Sequence, residues 1–259
     1  MTLRVLLVIA GLARIAISAS ADPGALLAEG NALYRDGDFP GAAQAYTQAL
    51  ELGGDGASVR YNLANALHRS ERTGEAIAQY LAAARMAPRD RDIRSNLLLA
   101  LNARPAGAPV PPTSWLHAAM GRLVGAFTLS EFAVAATVAY WIALACVIGL
   151  LVGRGKRRRL RRVSIAAGIA ALVLTALAVG RWWGHHHVER AVVAVETTEM
   201  RTGPGESFEV SQPVGEGWIV RVLRDDTSWM EVVDEADVRG WLRADAVARV
   251  TLTPPDIIE

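Results

Sequence analysis

The chain has 259 residues, of which 52% are apolar, and a formal net charge of +1 that conceals three regions of different charge. Residues 22–104 carry a net charge of −1, residues 153–162 carry +7, and residues 184–259 carry −8. The acidic end excludes nucleic acid as its partner, because phosphate binding requires positive charge. The single cysteine, Cys146, excludes an intrachain disulfide, and its place in an apolar run predicts a structural role.

The N-terminal segment 1–21 has the pattern of a secretory signal peptide. Arg4 gives a short positive region, residues 5–13 are apolar, and Ala19-Ser20-Ala21 is a small-x-small cleavage pattern. Arg14 shortens the apolar core and so disfavours a helix that spans a membrane. We predict a signal peptide here, with an uncleaved anchor as the alternative.

The next segment, 22–104, repeats itself with a period of 34 residues. Asn31 and Tyr46 of the first copy return as Asn65 and Tyr80 in the second, and a third, incomplete copy follows. The pattern resembles the tetratricopeptide repeat, which implies stacked pairs of helices. Two and a half copies are near the minimum for such a stack, so we expect the membrane or a partner to support it.

The second copy departs from the first at the turn between its two helices. Gly37 and Asp38 of the first copy are replaced by Glu71 and Arg72. Glycine permits the tight turn in the first copy, and arginine and glutamate lack that freedom. We therefore expect the second turn to use Thr73-Gly74 instead.

The resemblance implies a peptide-binding groove lined by the first helix of each repeat. Asn31 and Arg35 are four residues apart, as are Asn65 and Arg69, so each pair shares a helix face. Because arginine donates in a fork to carboxylates, we expect a ladder for an acidic or carboxylate-ended peptide, with a solvated helix face as the alternative. The implied groove residues are Asn31, Tyr34, Arg35, Tyr61, Asn65, His68 and Arg69.

Residues 105–131 are predicted to be a proline-rich linker followed by an interfacial segment. Four prolines between positions 105 and 112 indicate a semi-extended spacer. Residues 115–127 mix apolar and basic side chains, which is typical of a short amphipathic helix on the outer leaflet. Thr128 and Glu131 form a capping-box pattern before the next helix.

Two apolar runs, 132–152 and 163–180, flank the basic segment and are long enough to cross a bilayer core of about 30 Å. Short positive loops remain in the cytoplasm, so we predict the loop 153–162 inside the cell and both chain ends outside. The predicted spans are 132–152 and 163–183, and contact with lipid headgroups is a secondary role of the loop. Its seven cations are Arg154, Lys156, Arg157, Arg158, Arg159, Arg161 and Arg162.

No metal, cofactor or catalytic site is expected from the sequence. The short linker 184–190 contains three adjacent histidines, but neighbouring residues on an extended chain point in different directions, and no acid or cysteine stands at a ligand spacing nearby. The sequence contains neither a nucleophile motif such as G-x-S-x-G nor a metal-ligand motif. We therefore expect that the chain is not an enzyme.

Residues 191–250 change to short β-rich runs separated by turns, and a tail, 251–259, follows. The motifs at 200–205, 214–217 and 240–242 occur in an order that resembles a bacterial SH3 domain. Strands are predicted at 191–195, 218–223, 229–233 and 240–242.

The SH3 resemblance implies a barrel of five or six strands that binds peptidoglycan or a protein. The contact candidates are Arg201, Trp229 and Trp241, although packing is an alternative role for both tryptophans and a structural role is the alternative for the arginine. The acidic surface favours a basic peptide or a protein partner over a polyanionic wall polymer.

The order of modules resembles the E-type proteins of the Bacteroides aerotolerance (Bat) operon. The resemblance implies a protein of the bacterial cytoplasmic membrane that acts with von Willebrand factor A-type Bat proteins and a MoxR-type AAA+ ATPase in aerotolerance or envelope stress. The expected fold is an all-α tetratricopeptide-repeat domain, a two-helix transmembrane hairpin and an all-β SH3-like barrel. The expected function is a non-enzymatic scaffold, with a peptidoglycan tether through the SH3-like domain as the alternative.

Overall fold

The computed structural model describes residues 22–104, 125, 127–152, 157–187 and 189–250. The predicted signal peptide, most of the predicted linker and the tail lie outside the described residues. So do Arg154 and Lys156 of the basic loop.

Five helices form the first folded region. Each helix packs against the next in chain order, as expected for stacked helix pairs. Tyr46 and Tyr80 fill the space between the helices and are 1% exposed, while alanines such as Ala42 and Ala76 are fully buried and allow close helix approach. The helices are α1 (Pro23–Asp36), α2 (Phe39–Glu51), α3 (Ala57–Arg69), α4 (Thr73–Met86) and α5 (Arg91–Asn102).

The two repeats differ at the turn, but not in the way the sequence suggested. In the first repeat, Gly37 adopts a φ of +85° and the Asp38 carboxylate caps α2. In the second, Glu71 takes the left-handed conformation with a φ of +62°, and α4 already begins at Thr73. The expectation of a turn at Thr73-Gly74 is therefore wrong: the turn precedes those residues.

Two long apolar helices follow, α6 (Leu129–Val152) and α7 (Arg157–His187). Each contains an 18-residue window with a mean hydropathy of 2.3, so both helices are long and apolar enough to cross a membrane. They pack as an antiparallel pair, with the Ser164 hydroxyl donating to the Ala143 carbonyl at 3.4 Å. The capping box expected before α6 is confirmed, because the Thr128 amide donates to the Glu131 carboxylate at 2.8 Å.

The last folded region is an antiparallel sheet with the strand order β3-β2-β6-β5-β4-β1-β7. The four predicted strands all occur, and three others accompany them. Met200, Met230 and Leu242 are among the buried residues of its core. The strands are β1 (Arg190–Val193), β2 (Thr197–Arg201), β3 (Val210–Gly215), β4 (Ile219–Asp225), β5 (Trp229–Asp234), β6 (Arg239–Arg243) and β7 (Val247–Arg249).

The sheet packs directly against the helical region through α4. Ile77 of α4 is fully buried in one apolar cluster with Val192 and Val250 of the sheet region. At the edge of this contact, a guanidinium nitrogen of Arg85 donates to the Val250 carbonyl at 3.3 Å. Burial, helped by nearby Arg190, lowers the pKa of Arg85 to about 10. The two regions, which are far apart in the sequence, therefore share a core.

Candidate functional site

Tyrosine and asparagine side chains form a hydrogen-bonded ladder. It joins the first helices of successive repeats to each other and to the second helix of each repeat. The Tyr46 hydroxyl donates to Asn31 Oδ1 at 2.8 Å, and the Asn62 amide donates to the same oxygen at 3.2 Å. One period later, Asn65 Oδ1 accepts from Tyr80 at 2.6 Å and from Asn96 at 2.9 Å. The repeat in sequence is thus also a repeat in hydrogen bonding.

The asparagine side chain fixes the direction of these bonds. Its carbonyl oxygen can only accept, so the hydroxyls of Tyr46 and Tyr80 donate and the oxygens of Asn31 and Asn65 are occupied. Burial raises the pKa of both hydroxyls, that of Tyr80 further, which keeps both protonated. What these two amides can still offer a ligand is their N–H groups.

A cavity of about 320 Å³ opens beside the ladder. Arg35 lies at its edge, is exposed, and has no carboxylate partner within the described part of the chain. None of the described lining residues is acidic, and the side chains present mainly N–H and O–H donors. The cavity therefore suits a ligand that supplies acceptor oxygens. It is lined by Asn31, Tyr34, Arg35, Tyr46, Asn62 and Asn65.

The structure brings four of the seven groove candidates, Asn31, Tyr34, Arg35 and Asn65, to this cavity. Tyr61 touches the ladder, since its hydroxyl accepts from Asn96 at 3.0 Å. The other two candidates, His68 and Arg69, do not line the cavity.

Arg69 is occupied elsewhere. Its guanidinium lies 4.6 Å from the centre of the Phe39 ring, in cation–π geometry. The Phe39 ring also packs edge-on against Tyr34 at 5.1 Å. Of the two arginines predicted as rungs, Arg35 lines the cavity and Arg69 packs on Phe39. Peptide binding by either arginine stays a prediction.

Sequence reasoning missed Asn62 and Tyr46 as lining residues. A signal was present, because Asn62 recurs as Asn96 with the same 34-residue period. The 34-residue period alone does not tell which asparagine donates the hydrogen bond and which accepts it.

A second cavity of about 590 Å³ is lined by residues of α2, α3 and α4. Its floor contains Arg60, which is 2% exposed. The guanidinium is satisfied internally, with bonds of 2.6 and 2.9 Å to Asp55 and 3.2 Å to Gln79. The buried charge at this cavity is thus compensated by the protein itself.

The candidates on the sheet have different surroundings. Arg201 donates to the Glu206 and Phe208 carbonyls at 2.7 and 2.8 Å, which holds the loop between β2 and β3. Trp241 is 9% exposed in β6, whereas Trp229, at the start of β5, is only half-buried. Trp229 is therefore the more accessible of the two rings.

Five of the seven basic-loop cations are described, and all five lie exposed in the first two turns of α7. None forms an ion pair with a described residue. Cations at a helix N-terminus are opposed by the helix dipole, so this end of the hairpin suits anionic surroundings. They are Arg157, Arg158, Arg159, Arg161 and Arg162.

A family model described as tetratricopeptide repeat matches residues 27–91, about a quarter of the chain. The match spans α1 to α4 and ends at the first residue of α5. A search of curated proteins gave no match. The repeat region is thereby shown, and it suggests a role in protein–protein interaction. Within the described ranges, no group of three or more His, Cys, Asp or Glu side chains is placed to hold a metal ion.

Proposed function

We propose that the chain is a membrane-anchored, non-enzymatic scaffold whose repeats bind a protein segment that carries a carboxylate. The observation that carries this proposal is the donor-rich cavity with Arg35 at its edge. A guanidinium binds a carboxylate through two parallel hydrogen bonds, and the Asn31 amide adds a further donor. A C-terminal or acidic peptide provides the oxygens that this cavity lacks.

The anchor is the α6–α7 pair. Both helices are almost wholly unburied by protein, as expected for surfaces that face lipid, and the arginines stand at the connected end. Two crossings return the chain to its starting side, which agrees with the contact between the repeats and the sheet. We place the loop in the cytoplasm and both folded regions on the extracytoplasmic side of a bacterial cytoplasmic membrane.

The order of repeats, apolar hairpin and antiparallel sheet supports assignment to a Bat/MoxR-type system. In this proposal the sheet is a bacterial SH3-like domain, and the partners are von Willebrand factor A-type Bat proteins that act with a MoxR-type ATPase. The physiological role is aerotolerance or envelope stress. Crosslinking in native membranes, with mass spectrometry of the captured proteins, tests these partners.

A peptidoglycan tether is the second candidate, favoured by the half-exposed ring of Trp229. Sedimentation of the full chain with purified sacculi tests it, with Trp229→Ala as the variant. Retention that depends on Trp229 would support the tether. Absence of retention would contradict the tether and leave the scaffold as the remaining candidate function.

The groove is tested with the full chain in lipid nanodiscs and two synthetic probes: an acidic hexapeptide with a free C-terminal carboxylate, and the same peptide with a C-terminal amide. We expect the free acid to bind about tenfold more tightly, and Arg35→Ala to remove that difference. Arg94→Ala is the matched control, because Arg94 is also exposed and also lacks a carboxylate partner in the described chain. Equal binding of both probes to the unmodified chain would contradict the proposal.

A further inference from the structure

Helix α4 begins without a cap of its own. In the first repeat, the Asp38 carboxylate accepts a bond of 2.9 Å from the Gly41 amide at the start of α2. The corresponding position before α4 is Arg72, a donor-only side chain that makes no capping bond and pairs instead with Glu75 at 2.7 Å. The first amides of α4 therefore receive no acceptor from the residue that precedes the helix.

The sheet region supplies that acceptor. Glu216, in the turn between β3 and β4, accepts a hydrogen bond of 2.7 Å from the Gly74 amide in the first turn of α4. A carboxylate at this position also interacts favourably with the positive end of the helix dipole. The two residues are separated by 142 positions, so the cap belongs to the fold and not to the local sequence.

Gly74 makes this approach possible. A Cβ atom there would lie 2.1 Å from the Val193 carbonyl oxygen and 2.9 Å from Ala194 Cα, both backbone atoms of the sheet region. Three residues later, Ile77 enters the shared core with Val192. The start of α4 is thus shaped to receive the end of β1.

We propose that the sheet completes the repeat array: Glu216 is the N-terminal cap of α4, supplied from the other domain, and β1 and β7 cover the side of α4 that the incomplete third repeat leaves open. Repeat stacks need capping elements at their ends. The substitution of Arg72 for the capping aspartate of the first repeat is, in this view, an adaptation to a fixed partner. Glu216 is a positioning residue and not part of the groove.

The test measures hydrogen–deuterium exchange of the full chain in nanodiscs. Glu216→Ala should speed exchange in the first turn of α4 about tenfold and leave the first turn of α2, capped by Asp38, unchanged. Glu216→Gln keeps an acceptor oxygen, so the first turn of α4 should lose less protection from exchange than in Glu216→Ala. Glu196→Ala is the charge-matched control, since that side chain has no partner in the described chain.

A second variant separates capping from general damage. Arg72→Asp combined with Glu216→Ala recreates the local cap of the first repeat, so it should restore protection at the start of α4 without restoring the contact to the sheet. Exchange in Glu216→Ala within twofold of the unmodified chain would overturn the proposal. Failure of Arg72→Asp to restore protection would overturn it as well.

Discussion

Asn65 uses one carbonyl oxygen to accept two hydrogen bonds, from Tyr80 at 2.6 Å and from Asn96 at 2.9 Å. Tyr80→Phe removes the stronger donor and should lower the free energy of unfolding by about 1 kcal/mol, the usual net contribution of such a bond. Thermal unfolding followed by circular dichroism measures it. Tyr34→Phe is the control, because the Tyr34 hydroxyl makes no hydrogen bond within the described residues; an equal loss in both variants would mean that the ladder does not stabilise the stack.

The two arginines predicted for the groove, Arg35 and Arg69, should differ in which property they affect, peptide affinity or stability. Arg69 stacks on Phe39, so Arg69→Ala should reduce stability by about 0.5–1 kcal/mol and leave peptide affinity unchanged. Arg35 makes no such contact, so Arg35→Ala should reduce affinity and leave stability unchanged. Titration with the acidic probe and thermal unfolding, run on both variants, separate the two roles. Loss of affinity in Arg69→Ala would restore the two-rung ladder predicted from the sequence.

At the scale of elements, the helices of the repeats were predictable because the same buried positions recur. Ala42 and Ala76 occupy equivalent places, and both are fully buried. Strands β2 and β3 gave no such signal, because β2 buries only Met200 and β3 only Val214, so neither contains an apolar run.

The contact between α4 and the sheet could not be predicted. It depends on Gly74, through its amide and its missing side chain, and on the Glu216 carboxylate 142 positions away, and no local pattern marks the pair. The sequence did show the anomaly, Arg72 in place of a capping aspartate, but not its cause. Support of the short stack by the membrane or a partner stays a prediction; what the structure shows is that the chain's own sheet packs on α4.

Glu235, in the turn after β5, should make the packing of the sheet on the repeats, here called docking, depend on pH. Burial raises the pKa of Glu235 above its ordinary value, although the Arg104 guanidinium at 3.5 Å, with nearby Arg190, opposes the shift and Asp234 adds to it. A raised pKa means that the docked form holds the proton more tightly than the free form. This group therefore favours docking below its ordinary pKa, and the contribution is lost as pH rises through the raised pKa.

We expect exchange at the α4–β1 contact to be slower below the ordinary pKa of a glutamate than above the raised pKa of Glu235, after correction for the intrinsic exchange rate, and Glu235→Gln to flatten the dependence. Comparison of the two proteins isolates Glu235 from other carboxylates. A dependence that is unchanged in Glu235→Gln would assign it to another group.

At the scale of the whole molecule, α4 links the groove and the sheet. One face of α4 carries Tyr80, which holds Asn65 beside the cavity, and another face carries Ile77, which enters the shared core. The described contact to the hairpin is weaker: Arg89 pairs with Glu131 at 2.8 Å, but both side chains are exposed, so solvent screens the pair. The repeats and the sheet thus behave as one body attached to the two apolar helices mainly by covalent connections.

This arrangement makes the topology testable with single cysteines in a Cys146→Ala background. Ser95→Cys reports on the repeats, Ser207→Cys on the sheet, and Arg159→Cys on the basic end of the hairpin; all three positions are exposed. A membrane-impermeant maleimide should label the first two in intact spheroplasts, and the third only after lysis, because positive loops remain in the cytoplasm.

The contact between the domains makes this prediction strict. The Gly74 amide and the Glu216 carboxylate lie 2.7 Å apart, so the repeats and the sheet must lie on the same side of any membrane that the hairpin crosses. Labelling of Ser95→Cys without Ser207→Cys would therefore contradict both the double crossing and the docked body. Labelling of Arg159→Cys alone in intact cells would keep the docked body but reverse its orientation, and it would place the groove and its carboxylate-bearing partner in the cytoplasm.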